Sequence, residues 1–509
     1  MRLTRRTFVA GITAAVAGAP KFARGLSSIA SQLAPSALAS DPRRPQYHFL
    51  PPANWMNDPN GPIYWKGKYH LFYQYNPGAP VWGDMHWGHA VSEDMVHWRH
   101  LPPALSPTPG GPDAAGCFTG SAIVRGDAIS VVYTGVTENN SHPSGQKYRE
   151  VQCLATSSDP DLRTWTKSPI PLIPAPPAQL DTLGFRDPSA WQAGSQWYMT
   201  VGSGIRNQGG AVLLYRSNDF LHWDYQHICA RGEPGKTASG NPVHSGDMWE
   251  CPELFPLGNK HVLIYSTAHK AYWQTGELDL QTMVFHPEHS GLLDEGAFYA
   301  PKTQLDRSGN RIMWGFIPEQ RPTAEYEASG WACMMSLPRL LTLGPAGTLK
   351  MEVVPSLTEL RGKEQTLEPT SDEVDNRAKL DSLRMQNCCG ELLITLDRKT
   401  VPTRFDLVNR ESGEPLLSFS YDPALPGEIV VNQRRLPIAK HGSQIEISSF
   451  IDGSAVETCI DRRSCFTRRF YYHGERAPDL GIAVTGKASG IRRITLWQMT
   501  PISADRLTT

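Results

Sequence analysis

The sequence has little charge and no apolar run long enough to cross a membrane. Charged residues make up 19% and apolar residues 40% of the 509 positions, which excludes a disordered acidic chain and a multi-span membrane protein. The formal charge is −1, and because residues 1–39 hold five bases and no acid, the remainder carries about −6. No surface basic enough for nucleic acid or an anionic membrane is therefore expected.

Motifs for metals and nucleotides are also missing. No C-x-x-C or H-E-x-x-H occurs, and His86 and His89 flank Trp87 without a third ligand nearby. This spacing favours a role in the core or against substrate over a metal site. Residues 235–237 (GKT) lack the leading glycine of a phosphate-binding loop. We therefore expect neither a metal nor a cofactor.

Cysteine is scarce for a chain of this length. Nine cysteines are an odd number and are widely spread, which excludes a small disulfide-rich scaffold and means that at least one is unpaired or bonded to another molecule. Cys459 and Cys465 could pair with each other. Buried thiols are expected for most of the others.

The N-terminal segment has the features of an export signal. Arg5 and Arg6 precede an apolar run over 8–19, and the small-residue sequence ALA follows at 37–39. Paired arginines resemble the twin-arginine type, so residues 1–39 are expected to direct the chain to the periplasm or the exterior. The apolar run is too short for a retained transmembrane helix. An ordinary disordered basic N-terminus is the alternative.

Glycine (44), proline (42) and aromatic residues (47) are abundant, which favours a β-rich fold with frequent turns. Five short motifs recur at nearly constant spacing, around positions 58, 118, 187, 250 and 299. Strand-like runs and turn residues lie between them, and a period near 60 residues accommodates four short strands. The pattern predicts an all-β fold with a five-bladed β-propeller over 45–345, its five marker motifs surrounding a central funnel.

The composition changes after Leu341. Thirteen of the fourteen tryptophans lie between Trp55 and Trp331, and only Trp497 follows. A short connector over 346–362 leads to alternating apolar and polar runs over 363–509, which predict a β-sandwich. This second domain carries no obvious chemical motif, so we expect a stabilising or sugar-binding accessory domain.

Three of the five marker positions are acidic: Asp58, Asp187 and Glu250. Carboxylates that converge raise one another's pKa, which suits a site where one carboxyl must be an acid and another a nucleophile. Glycosidic bond hydrolysis needs such a pair, ~5–5.5 Å apart for retention and ~6.5–9.5 Å for inversion. Nearby aromatic residues suit the apolar faces of sugar rings. Any one Asp-Pro alone would more often be a turn residue.

These motifs resemble glycoside hydrolase family 32, which contains the invertases, inulinases, levanases and fructan exohydrolases. The resemblance covers residues 45–500 and rests on motifs that follow the family's order: WMNDPNG at 55–61, FYQYNP at 72–77, WGHA at 87–90, GCFTGSA at 116–122, FRDP at 185–188, WECP at 249–252, FYAP at 298–301, SLPR at 336–339 and FIDGSAVE at 450–457.

The resemblance implies a retaining β-fructosidase that releases terminal β-D-fructofuranosyl units from sucrose or fructans without a cofactor. Asp58 would be the nucleophile, Glu250 the acid and base, and Asp187 would hold fructose hydroxyls and stabilise the cationic transition state. The physical setting fits, because Asn57 can donate to Asp58, Arg186 neighbours Asp187, and the apolar neighbours of Glu250 could raise its pKa.

Further positions of the family's motifs imply substrate contacts. These are Asn57, Gln74, Trp82, Phe118, Ser121, Arg186 and Trp331. The chain departs from the family pattern at Thr119, where serine is frequent, and at Ala297, where an acid is frequent. Glu253, where aspartate is common, is expected to lengthen an acidic arm near the acid/base, which leaves the preference for the leaving group open.

Other functions remain open from the sequence. A fructosyltransferase would use the same three carboxyls and differ only in its acceptor site. An arabinan-type hydrolase would also have a five-bladed propeller with three carboxylates, but lacks the WMNDPNG context. A non-catalytic sugar-binding propeller would be expected to lose one of the carboxyls, and all three are present.

Overall fold

The computed structural model describes residues 33–139, 147–232, 246–399, 401–439, 442–485 and 487–507. Most of the predicted export segment, residues 1–32, and the GKT sequence at 235–237 lie outside these ranges. The described part of that segment ends in helix α1 (Pro35–Ser40), which contains the predicted ALA cleavage motif and buries Leu38. In the described ranges, no helix combines the length and apolar character needed to span a bilayer.

Five antiparallel sheets follow one another along the first two thirds of the chain. The first two contain β1 Asn54–Trp65, β2 Lys68–Asn76, β3 His86–Ser92, β4 Trp98–Leu105, and β5 Gly116–Arg125, β6 Ala128–Glu138, β7 Tyr148–Ser157, β8 Thr166–Lys167. The third and fourth contain β9 Thr182–Ala193, β10 Gln196–Ile205, β11 Gly209–Ser217, β12 Asp224–Arg231, and β13 Glu250–Leu257, β14 Lys260–Thr267, β15 Lys270–Leu278, β16 Phe285–Leu292.

The fifth sheet ends the series and closes it onto the first. It contains β17 Tyr299–Leu305, β18 Arg311–Ile317, β20 Met334–Met335, β21 Arg339–Leu343 and β22 Leu349–Val353. Helix α2 (Thr323–Ser329) leads from β18 to β19 (Trp331–Ala332), which pairs in parallel with β1 of the first sheet. The five first strands β1, β5, β9, β13 and β17 contact one another in sequence, and β17 contacts β1, so they form a ring.

Each of these five first strands carries a β-bulge at its marker motif. The register shifts between Met56 and Pro59 in β1, between Cys117 and Gly120 in β5, and between Glu250 and Glu253 in β13. Corresponding shifts occur at residues 186–189 of β9 and 299–302 of β17. A bulge redirects side chains locally. The spacing read from the sequence is therefore the spacing of five bulges around the ring.

Two further antiparallel sheets form the last third of the chain. The six-stranded sheet runs in the order β23 Arg361–Leu367, β33 Ile491–Met499, β24 Cys389–Asp397, β29 Gln444–Asp452, β30 Ala455–Ile460, β31 Ser464–Arg469. The five-stranded sheet runs in the order β28 Arg434–Pro437, β27 Glu428–Val431, β26 Pro415–Tyr421, β25 Thr403–Asn409, β32 Leu480–Thr485. Helix α3 (Glu373–Ser382) precedes β24.

One apolar core lies between these two sheets, as alternating strands predict. Alternate residues such as Leu392, Ile394 and Leu396 of β24 face Phe405 and Leu407 of β25 within it. The segment between the two groups of sheets differs slightly from the predicted connector at 346–362. β22 extends to residue 353, a 3₁₀ helix spans 355–360, and β23 begins at residue 361.

The cysteines follow the sequence expectation. Cys459 and Cys465 form a disulfide across the hairpin of β30 and β31. The other seven cysteines are buried free thiols. Both predictions are confirmed.

A buried chain of charges joins the ring of sheets to the last two sheets. His48, which precedes β1, donates from Nδ1 to Asp452 at 2.9 Å and from Nε2 to Glu457 at 3.1 Å. Arg339 of β21 contacts Glu457 at 2.5 Å and Asp294 at 2.9 Å. All five side chains are almost completely buried. Burial opposes the charge on His48, but its two carboxylate partners outweigh burial and raise its pKa to about 9.

We expect His48→Gln to lower the free energy of unfolding by about 3 kcal/mol near pH 6, because it leaves the buried carboxylate of Asp452 without its cation and Glu457 with Arg339 alone. The contribution of His48 is complete below the ordinary pKa of 6.5 and is lost as pH rises through about 9. Denaturant unfolding between pH 6 and 9.5 measures both effects. His97→Gln, which removes an exposed histidine bonded to Asp94, should cost less than about 0.5 kcal/mol. Equal losses of unfolding free energy in the two variants would contradict this contribution of the buried His48.

Candidate active site

A cavity of about 670 Å³ is lined by residues from the first strand of all five sheets. Asp58 enters it from β1, Asp187 from β9 and Glu250 from β13. Thr119 of β5 and Tyr299 of β17 complete the set. The three acidic residues predicted from the sequence therefore meet in one place, although 129 and 63 positions separate them along the chain.

Asp58 is held by short hydrogen bonds from two neighbours. The Thr119 hydroxyl donates to Oδ2 at 2.6 Å, and the Asn57 amide donates to Oδ1 at 3.0 Å, as the sequence predicts. The Cys251 thiol lies 3.5 Å from Oδ2. Burial raises the pKa of Asp58, and the bonds from Thr119 and Asn57 oppose that rise. The carboxylate of Asp58 is thus oriented by donors that favour its charged form.

Asp187 is the most deeply buried of the three acids. It is 3% exposed, its backbone has a φ of +63°, and the Cys251 amide donates to Oδ2 at 2.9 Å. The Asp187 amide in turn donates to Thr134 at 2.9 Å. Burial raises the pKa of Asp187 to about 7, with Glu250 and Asp58 adding to the rise and Arg186 opposing it. Asp187 thus titrates close to neutrality.

Glu250 has a different environment, formed by polar and charged groups. The Arg186 guanidinium donates from Nη2 to Oε1 at 2.9 Å, and the Tyr299 hydroxyl donates to Oε2 at 2.5 Å. The expected apolar surrounding is wrong, because Trp249 turns into the core and stacks on Tyr265 with ring centres 3.8 Å apart. Glu250 is therefore the acid with a direct cationic partner.

Arg186 serves two glutamates rather than its neighbour Asp187. Its Nη1 donates to Glu150 at 2.8 Å, and the other oxygen of Glu150 accepts from the Phe185 amide at 2.6 Å. Burial lowers the pKa of Arg186, but Glu150 and Glu250 raise it by more, so the guanidinium keeps its charge. Glu150 thereby fixes the position of Arg186 against Glu250.

Aromatic rings form one side of the cavity mouth. Trp82 is 45% exposed, and its ring lies 5.9 Å from Phe118 and 6.5 Å from Tyr148. Phe118 and Tyr148 are 5.6 Å apart, which completes a triangle of rings. Such rings offer flat apolar faces next to the carboxyls. They suit a ligand with both apolar faces and hydroxyl rims.

Five of the seven predicted contact residues line the cavity: Asn57, Gln74, Trp82, Phe118 and Arg186. Gln74 donates to the Cys117 carbonyl at 2.9 Å and is 3% exposed, so it supports the floor beside Phe118.

Two predicted contacts are wrong. Trp331 is completely buried, donates to Asp41 at 2.9 Å and lies against the guanidinium of Arg321, because β19 closes the ring of sheets and turns the indole into the core. Ser121 is 6% exposed and accepts from the Ala190 amide at 3.2 Å, so it ties β5 to β9 instead of lining the cavity.

The expected acidic arm of Glu253 is also wrong. Glu253 is 6% exposed and accepts from the Thr303 amide at 2.7 Å, on the side of β13 away from the cavity. Sequence reasoning missed Glu150, Tyr148 and Tyr299. Tyr299 lies in the fifth marker motif, which could have revealed it. Glu150 and Tyr148 lie on β7, which carries no marker.

A larger cleft of about 900 Å³ lies between the ring of sheets and the last two sheets. It shares His269, Pro318 and Glu319 with the cavity, so the two spaces adjoin. Within the described residues, no three histidine, cysteine, aspartate or glutamate side chains are arranged to hold a metal ion.

Comparisons with known proteins agree with this geometry. The profile of the Glycosyl hydrolases family 32 N-terminal domain matches residues 48–352. The sucrose-6-phosphate hydrolase of Escherichia coli is 30% identical over 478 residues, covering 89% of this chain and 94% of that protein. A β-fructofuranosidase of Daucus carota is 38% identical over 352 residues, covering 63% of this chain but only 56% of its own length.

Solved structures show the same relationship. The GH32 β-fructofuranosidase of Bombyx mori superposes with a TM-score of 0.75 at 28% identity, covering 92% of this chain and 96% of that one. Fructan 1-exohydrolase IIa of Cichorium intybus gives 0.71 at 26% identity, covering 90% and 98%. Variants of these two enzymes have been solved with sucrose and with 1-kestose. The resemblance found in the sequence is thus confirmed: the chain belongs to glycoside hydrolase family 32 and is a glycosidase that hydrolyses O-glycosyl bonds.

Proposed function

We propose that this enzyme is a retaining β-fructosidase that releases terminal β-D-fructofuranosyl units from sucrose or fructans. The observation that carries the proposal is the meeting of Asp58, Asp187 and Glu250 in one cavity, each with its own set of partners. The β-fructofuranosidases and the fructan exohydrolase among its relatives support the same activity.

Asp58 is the proposed nucleophile. Its carboxylate attacks the anomeric carbon of the fructosyl unit, the bond from that carbon to the glycosidic oxygen breaks, and a covalent fructosyl-enzyme forms. The hydrogen bonds from Thr119 and Asn57 keep Asp58 charged and aimed before attack. Preorientation of this kind reduces the reorganisation needed to reach the transition state of the attack.

Glu250 is the proposed acid and base. It gives a proton to the departing glycosidic oxygen, then takes one from the water that hydrolyses the fructosyl-enzyme. The double pairing of Arg186 supports this exchange, because Glu150 remains its counter-ion when Glu250 carries a proton. Arg186 is therefore never left as an unpaired buried cation during the cycle.

Asp187 is proposed to bind fructose hydroxyls as a carboxylate and to stabilise positive charge at the anomeric carbon. Its burial makes such interactions stronger than they would be in water. Its pKa of about 7 means that only part of the population is charged at pH 6. Trp82, Phe118 and Tyr148 are proposed to stack on the sugar at the mouth.

The five sheets in a ring support a five-bladed β-propeller over about 45–345, extended by β22 to residue 353. The two sheets beyond Arg361 support an accessory β-sandwich. We also propose that residues 1–39 direct export to the periplasm or the exterior. The plant relatives described as insoluble or cell wall isozymes are consistent with an extracellular site of action.

Asp58→Asn should lower kcat on sucrose by at least about 10⁴-fold, because no other group can take the place of the nucleophile. Initial rates of fructose release measure the loss. Asp84→Asn is a suitable control, since Asp84 is exposed and does not line the cavity. Retained activity in Asp58→Asn alone would contradict the assignment.

Glu250→Ala should lose about 10²–10⁴-fold on sucrose, whose leaving group needs a proton, but far less on an aryl fructoside. Azide should restore the second step and give fructosyl azide, detectable by mass spectrometry. Glu150→Gln, which keeps the acid and base, should show no azide product. A Glu250→Ala enzyme that neither azide nor an activated leaving group restores would count against this role.

Incubation with sucrose, inulin and levan followed by separation of the products tests the reaction type. Free fructose as the sole product from the polymers is the expected result for an exo-acting hydrolase. Oligosaccharides released from the polymers would show endo-attack instead. Lengthened chains formed in concentrated sucrose would show that transfer, not hydrolysis, is the main reaction.

A further inference from the structure

A lysine is buried outside the lining of the cavity with no hydrogen bond to its ammonium group. Lys302, on β17, is 0% exposed, and its Nζ has no hydrogen-bond partner among the described residues. Its nearest carboxylate oxygen is Oε1 of Glu253, 3.9 Å away. Burying an ammonium without hydrogen bonds is costly, so its presence calls for a compensating role.

Two β-bulges place this pair. The register of β13 shifts between Glu250 and Glu253, and that of β17 shifts between Tyr299 and Lys302. Glu250 and Tyr299 therefore line the cavity, whereas Glu253 and Lys302 pair with each other outside its lining. Cys251, two residues before Glu253 on β13, contacts Asp187 through its amide and its thiol, so the pair lies next to the residue that holds Asp187. Glu253 is fixed in turn by the Thr303 amide at 2.7 Å. The pair is thus set by the same backbone feature that sets the active site.

The charges of the cavity are unevenly balanced. Five acids line it: Asp58, Glu150, Asp187, Glu250 and Glu319. Among the described lining residues Arg186 is the one lysine or arginine, and it is shared by Glu250 and Glu150. Asp187 has no cation within hydrogen-bond distance among the described residues; its Oδ2 accepts from the amide of Cys251, whose thiol lies 3.6 Å away. The ionisation of Asp187 therefore depends on charges that act through space.

We propose that Lys302 is a positioning residue for this reaction: a buried cation beside Glu253 that favours the ionised form of Asp187 in the enzyme before fructose binds, with Glu253 as its fixed counter-ion. The inference rests on the proposed function of Asp187. Lys302 does not line the cavity, so the role proposed for it is not direct contact with the sugar.

The electrostatics around Asp187 support this role. Burial, Glu250 and Asp58 raise the pKa of Asp187, whereas Arg186 and Lys302 lower it. Burial raises the pKa of Cys251 and of Glu253, and Lys302 opposes both rises. Arg311 of β18 also opposes the rise in the pKa of Glu253. Removal of the Lys302 charge therefore raises the pKa of Asp187 further, and the carboxylate is lost at a higher pH.

Replacement of a buried ion pair by apolar side chains of similar size is often neutral for stability. A purely structural role would therefore not require an ammonium at this position. A role in lowering the pKa of Asp187 by electrostatic attraction does require a positive charge at this position. The two explanations predict different results when the charge is removed and the shape is kept.

The test compares Lys302→Met, which removes the charge, with Lys302→Arg, which keeps it. In Lys302→Met, the acid limb of the kcat/KM profile, where activity falls as the pH decreases, should move to higher pH by about one unit. On that limb kcat/KM should be about tenfold lower than in the wild type, and on the plateau at higher pH it should change little. Lys302→Arg should restore the wild-type limb. Arg311→Met, which removes a cation that acts on Glu253, should leave the limb in place. An unmoved limb in Lys302→Met overturns the inference.

Glu253→Gln keeps Lys302 and serves if Lys302→Met does not fold. It removes the counter-ion, strengthens the field of Lys302 at Asp187 and should move the limb to lower pH. An unchanged limb in a folded Glu253→Gln enzyme overturns the inference.

A measurement without turnover separates this inference from the proposed function. The ¹³C signal of the Asp187 carboxyl, assigned with Asp187→Asn, should titrate near pH 7 in the wild type and about one unit higher in Lys302→Met. If Asp58→Asn stays active but this titration shifts, the proposed function fails and the field of Lys302 stands. If Asp58→Asn is inactive and the titration does not shift, the role of Lys302 alone fails.

Discussion

Three carboxyl groups that share a partly buried cavity repel one another, and the architecture of the site is organised around that repulsion. Each acid has different partners: hydroxyl and amide donors for Asp58, a backbone amide for Asp187, and a guanidinium and a phenol for Glu250. Because hydrogen bonds and charges act differently on the three, their protonation states can differ at one pH. Chemistry that needs an acid and a nucleophile together becomes possible.

The backbone that brings these groups together is strained at the same points. The bulges of β9, β13 and β17 place Asp187, Cys251 and Ala300 at φ values of +63°, +51° and +50°, a region that residues other than glycine seldom adopt. The surrounding ring of strands must stabilise this conformation. One backbone device therefore orients the cavity lining and, outside it, the buried Lys302 and Glu253.

The sequence predicts much of this because a bulge leaves a local signature that repeats. The marker motifs indicated the strands and the acids, and the structure brings Asp58, Asp187 and Glu250 together. Features that depend on contacts between distant segments were not predictable. Trp331 appears as a motif residue but is buried by ring closure, Glu253 turns away at a bulge, and Glu150 enters from β7, where nothing in the sequence distinguishes it.

The last two sheets have a part in the site although they carry none of the three acids. Glu319 lines the cavity, and its carboxylate accepts from Arg321 at 2.7 Å and from the Tyr471 hydroxyl at 2.5 Å, with Arg469 at 3.6 Å. Arg469 belongs to β31 and Tyr471 follows it, so the last two sheets supply one cation and one hydroxyl donor to this fifth acid of the cavity lining. Arg321 precedes helix α2, so the charge of Glu319 is compensated from both parts of the chain. The sandwich thus contributes to the charge balance of the cavity through Arg469, in addition to its support of the fold.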